Sequence, residues 1–98
     1  MKKEVNIAPK PIHTGDIVTV SYNGKLAKNG AEKLYIHAGT SSSANWQNIT
    51  DIEMQPGSNG YWTAQLEVQN GEQFNFCFKD SANNWDNNNH QDWSYDIY

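Results

Sequence analysis

From residue 15 onward the chain is built of short runs in which apolar and polar side chains alternate, each run soon broken by Gly, Asn, Asp or Pro. Residues 16–22 set Val18, Val20 and Tyr22 against Thr19 and Ser21. Residues 33–38 set Leu34 and Ile36 against Tyr35 and His37, and a third run covers 49–54 before Pro56-Gly57. Trp62, Ala64, Leu66 and Val68 fall in step, then Phe74, Phe76 and Phe78 opposite Asn75, Cys77 and Lys79, then Trp93, Tyr95 and Ile97. A period of two is the signature of a strand with one face buried, and no segment repeats apolar residues at helical spacing. Short strands joined by tight turns pair antiparallel, so the expected fold is all-β: an immunoglobulin-like antiparallel β-sandwich of six to eight strands.

The 98 residues suffice for one domain with a single modest core. Residues 1–13, with Pro9 and Pro11, read as a linker or an N-terminal edge segment, with a short strand around 5–7; residues 14–98 read as the sandwich. No hydrophobic stretch follows Lys2 and Lys3, so no signal peptide is expected, and Met1 reads as a start added to an excised piece. The net charge of −4 argues against nucleic acid and anionic membranes as partners, since both demand a basic patch. The single Cys77 excludes an internal disulfide.

Four tryptophans is a heavy load for this length. Trp62 and Trp93 are in phase with core positions. Trp46 and Trp85 sit instead in polar stretches, Ser41-Ser42-Ser43-Ala44-Asn45-Trp46-Gln47-Asn48 and Asn83-Asn84-Trp85-Asp86-Asn87-Asn88, which read as surface loops. Each indole either caps an end of the sandwich or offers a flat apolar platform with an N–H edge, suited to a sugar ring. Strand parity turns His37 outward, where its ring supplies one donor and one acceptor. Simple alternation of strand direction sends the two tryptophan loops from opposite ends, so both must fold back over the outer face near His37 to meet one ligand.

Asp80, Asp86 and Asp92 lack the spacing of a calcium loop and read as braces for turns through local bonds to backbone N–H groups, so no metal and no cofactor is expected. A glycosidase pair needs two carboxylates across a cleft, for which so small a sandwich has little room, and neither Ser nor Cys77 sits as a nucleophile; catalysis is not expected. Asn48-Ile49-Thr50 matches the glycosylation acceptor pattern but opens a strand.

Gly15-Asp16-Ile17-Val18-Thr19-Val20, Leu34-Tyr35-Ile36-His37-Ala38-Gly39, Asn45-Trp46-Gln47 and Phe76-Cys77-Phe78-Lys79-Asp80, continuing into the Trp85-Asp86-Asn87-Asn88 segment, together resemble carbohydrate-binding module family 25. The pattern is shared with the related family 53 of plant starch synthases. The resemblance implies a non-catalytic module for starch and α-1,4-gluco-oligosaccharides, an accessory to an amylase or other starch-acting protein in a longer parent chain. It implies an extracellular or cell-surface setting, as in secreted bacterial amylases. It also implies His37, Trp46 and Trp85 as the glucose-stacking platform, with Lys79 and Asn87 bonding hydroxyls beside it. The chain departs from the family where Asn89-His90-Gln91 replaces a glycine at the rim. A protein-interaction or adhesion module with exposed aromatics is the competing reading, and a metal-stabilised structural domain a third.

Overall fold

A computed structural model describes residues 4–42, 45–57, 59–88 and 92–98. Two antiparallel sheets pack face to face. The first carries β1 (Val5–Ala8), β2 (Ile17–Tyr22), β5 (Gln55–Pro56) and β6 (Trp62–Glu67) in the order β1-β2-β6-β5. The second carries β3 (Leu34–Ser41), β4 (Trp46–Glu53), β7 (Gln73–Asp80), β8 (Trp85–Asp86) and β9 (Trp93–Asp96). Its order is β4-β3-β7, with β8 and β9 dividing the free edge of β7: β8 pairs with residues 78–79 and β9 with residues 73–76. The expected all-β antiparallel sandwich is the observed one, with nine strands among the described residues where six to eight were expected, since β5 and β8 have two residues each and show no period. A single helical turn, α1 (Lys25–Lys28), buries Leu26 and is too short to show helical spacing in the sequence.

The alternating runs do what their period requires. Val18, Val20 and Tyr22 of β2 and Ile36, Phe76 and Phe78 of the facing sheet are all at 0 % exposure and fill the space between the sheets. Tyr22 stacks on Phe78 at 4.0 Å between ring centroids, and Trp93 lies edge-on to Phe78 at 5.2 Å. Residues 4–13 contribute directly: β1 extends the first sheet beyond β2, burying Val5 and Ile7, and Ile12 is buried in a parallel bridge with Ile97. A cavity of about 360 Å³ opens at the seam between β4 and β6, lined among others by Ile49, Ile52, Leu66 and Phe74.

Tyr22 also ties the sheets together at one end. Its hydroxyl donates to Asp86 Oδ2 at 2.6 Å and accepts from the Leu26 N–H at 3.2 Å. Burial first, and then the bond to Asp86, push the phenol well above its usual range, so it stays a donor. Asp86, buried in β8, is thereby anchored across the sandwich from β2.

Candidate functional site

The outer face of the second sheet carries the residues singled out from the sequence. His37 lies between the buried Ile36 and Ala38, so alternation turns it outward, opposite Asp51 of β4 on one side and Cys77 of β7 on the other. The next row of that face runs Glu53, Tyr35, Lys79, Trp85 across β4, β3, β7 and β8. Trp85 is thus not in a loop; it opens a strand. The turn before it is set by Asp80, whose Oδ1 accepts from the N–H groups of Ala82 (3.0 Å) and Asn84 (2.8 Å), while Oδ2 accepts from the Asn84 side chain (3.0 Å). Asn83 takes the left-handed φ of 68° that such a turn asks of Asn.

Trp46 is likewise the first residue of a strand, and strict alternation would put it on the wrong face. Asp51 is odd-numbered and Trp46 even-numbered, yet both lie on the outer face. A β-bulge makes up the difference: Ala38 pairs with Thr50 but Thr40 with Gln47, so β4 spends one extra residue. Within that extra length Asn48 adopts φ 56° and donates its side-chain N–H to Thr40 Oγ1 at 3.3 Å. Gly39 leaves room for the result. A Cβ there would stand 3.3 Å from Trp46 Cε3 and 2.9 Å from the Gln47 carbonyl oxygen, too close for the indole to lie where it does.

The bulge and the turn bring the two indoles to the same imidazole. His37 stacks with Trp46 at 5.9 Å and 28°, and meets Trp85 edge to face at 5.4 Å and 87°. The indole planes are steeply inclined to each other, by at least the difference between those two angles. Trp85 is 41 % exposed, and Trp46 and His37 are half-buried, so the three rings form a bent apolar surface open to water. The two hairpins do leave from opposite ends, but no long loop folds back. Strand pairing returns each indole over the face.

Asp51 holds the centre of this cluster. Its Oδ1 accepts from His37 Nδ1 at 2.5 Å and its Oδ2 from Lys79 Nζ at 2.6 Å. Burial alone would raise the Asp51 carboxyl, but the hydrogen bonds and charges of Lys79 and His37 outweigh it and hold the group below its usual range. An ionised carboxylate can only accept, which assigns the hydrogen to Nδ1 of His37 and leaves Nε2 for another partner. Lys79 Nζ also lies 5.3 Å from the Trp85 ring centroid and 5.9 Å from that of Tyr35, within cation–π reach of both. Beneath them Cys77 is buried, and burial pushes its thiol up to about 12, so it is a packed neutral group.

Four of the five expected residues, His37, Trp46, Trp85 and Lys79, therefore converge. Asn87 follows β8, half-buried, with its carbonyl accepting from the Asp92 N–H at 2.8 Å. The rim at residues 89–91 lies outside the described residues. Asp51 was missed by sequence reasoning, although its outward parity two strands' width from Lys79 was the available signal. Asp80 and Asp86 spend their oxygens on the turn and on Tyr22, and among the described residues no three His, Cys, Asp or Glu side chains gather to hold a metal ion. A polar cleft of about 530 Å³ adjoins the cluster on the β4 side of Lys79.

Residues 18–76 match the family model of a starch/carbohydrate-binding module, family 53. The family shown is thus 53, which the sequence reading gave as the related family, and not family 25, which it put first; the matched stretch includes His37 and Trp46 and ends before Lys79 and Trp85. An alpha-amylase of Clostridium acetobutylicum is 31 % identical over 86 residues, covering 87 % of this chain and 10 % of that protein. The chain thus spans about a tenth of that relative's length. No solved structure matches the chain.

Proposed function

The chain belongs to starch/carbohydrate-binding module family 53, a non-catalytic family, and from that premise we propose that it binds α-1,4-glucans on the His37–Trp46–Trp85 surface. The observation that carries this reading is the pair of inclined indoles on one imidazole. An α-1,4 linkage turns each glucose against the last, so adjacent sugar faces of a starch chain are inclined too, whereas a β-1,4 chain is flat. Stacking puts the apolar face of each glucose on an indole, and His37 Nε2 and the remaining donors of Lys79 face the hydroxyl edges, with Asn87 following β8 beside them.

Each stacked ring hides about 100 Å² of apolar surface, worth ~2.5 kcal/mol. Two such faces and a few hydrogen bonds, less immobilisation, leave roughly −5 to −7 kcal/mol, a Kd of order 10–200 μM. That affinity suits a tether. We place the module in a longer, extracellular, starch-acting parent chain, where it holds a catalytic domain at an insoluble surface by effective concentration; the amylase relative supports this.

The test is tryptophan fluorescence with maltoheptaose and with cellohexaose at equal concentration. A response to maltoheptaose alone is expected. Equal responses would refute α-glucan selectivity, and silence with both would favour a protein partner for the exposed rings. Trp46→Ala and Trp85→Ala should each abolish retention on insoluble starch while leaving the thermal unfolding curve nearly in place.

A further inference from the structure

Lys79 divides the outer face. Trp85 lies on its β8 side, and on its β4 side lies the cleft of about 530 Å³, whose walls include Tyr35, Asp51, Glu53, Asp80 and Asn83. Most of the charged groups around this cleft are already engaged. Asp51 is held by His37 and Lys79, and Asp80 by its own turn. Two groups are not. The Tyr35 hydroxyl and the Glu53 carboxylate have no hydrogen-bond or ion-pair partner among the described residues, and the register sets Tyr35 and Glu53 directly opposite each other on β3 and β4. Tyr35 is half-buried beside the Lys79 ammonium, which fixes the ring as part of the cleft wall. The cleft therefore offers an aromatic ring, a hydroxyl and a free carboxylate acceptor side by side, one row along the strands from His37.

We propose that this cleft is a further subsite, in which Tyr35 and Glu53 take a glucosyl unit of the same glucan beyond those stacked on the indoles. The inference rests on the α-glucan reading of the platform and extends it. A glucosyl ring fits the volume, its apolar face can lie against Tyr35, and its hydroxyls donate to Glu53, which as a carboxylate only accepts. Asp51, Glu53 and Asp80 outnumber Lys79, so the cleft selects a neutral polyol and disfavours a phosphorylated one. Its consequence is a length-dependent affinity with its own residues. A chain too short to reach past Lys79 engages the platform alone.

Calorimetric titration with maltotriose and with maltoheptaose separates the two sites. Tyr35→Ala is expected to weaken maltoheptaose about tenfold and maltotriose by less than about twofold, with Glu53→Gln acting in the same direction. Longer chains also gain from multiple binding registers, but that gain survives both substitutions, so a selective loss reports the cleft. Equal losses for the two sugars, or no loss for either, would overturn the subsite while leaving the platform standing. If the unsubstituted protein binds neither sugar, the platform reading falls and the subsite with it. Trp46→Ala, which should weaken both sugars alike, provides the contrast, and circular dichroism of each variant confirms that the sheet is intact.

Discussion

The Asp51 carboxylate fixes two side chains of the cluster at once, the imidazole through one oxygen and the ammonium through the other. Removing its charge should leave His37 free to rotate and change tautomer and Lys79 free to leave Trp85, without touching a core contact. Asp51→Asn is expected to weaken maltoheptaose about tenfold, a loss equivalent to ~1.4 kcal/mol, with only a small fall in melting temperature and altered imidazole nitrogen shifts. A variant that binds as well as the parent would show that the rings need no such brace. The pH dependence follows from the sign of the shift. A carboxyl held below its ordinary value contributes above the unfolded pKa of about 3.9 and loses that contribution as pH falls through the depressed value. Retention on starch should therefore persist through the ordinary carboxylate range and weaken only as pH falls through the depressed value, and less so in Asp51→Asn, with far-ultraviolet dichroism separating this from unfolding.

At the scale of elements, the strands of the core were legible, β4 was legible from residue 49 but not in the stretch that carries Trp46, and β8 was not legible. Period-two alternation located β2, β3, β6, β7 and β9 because each buries one face against the other sheet. β4 was expected from Ile49 and begins at Trp46. The bulge at Asn48 breaks the alternation, so the run ahead of it reads as loop even though it pairs with residues 40–41. β8 has two residues and no period at all; its pairing is enforced from outside, by the Tyr22–Asp86 bond across the sandwich. That dependence is testable. Tyr22→Phe leaves a buried carboxylate without its donor and should cost ~1–3 kcal/mol of stability. It should also release Trp85, seen as red-shifted, more quenchable indole emission and lower affinity for maltoheptaose. Loss of stability with unchanged affinity would mean that the Asp80 turn alone suffices to hold β8. The two indoles of the candidate site stood out as aromatic rings set in polar sequence, while their joint role with His37, and the places of Lys79 and Asn87, came from the family resemblance. Their meeting point was not, because it depends on a bulge and a cross-sheet bond that leave no local pattern.

The molecule as a whole is a double sheet with the ring cluster on an outer face, built on strands that are hydrogen-bonded into the second sheet. The Tyr22–Asp86 bond is the tie between this face and the core; Phe76 points inward from the strand that presents Lys79 outward and is not part of that tie, so a change at Phe76 should add independently to a change at the rings. Phe76→Ala should cost ~3–5 kcal/mol of stability, while Trp85→Ala should cost little, and the double variant should show the sum. The bent surface formed by His37, Trp46 and Trp85 lies open, and this has a consequence in time. A ligand that needs no gate to enter needs none to leave. With association near 10⁷ M⁻¹s⁻¹ and a dissociation constant of order 100 μM, each visit to a glucan would last about a millisecond. On the proposed reading, a module held this way would not park on a starch granule; it would skate, releasing and re-engaging neighbouring chains on the millisecond scale.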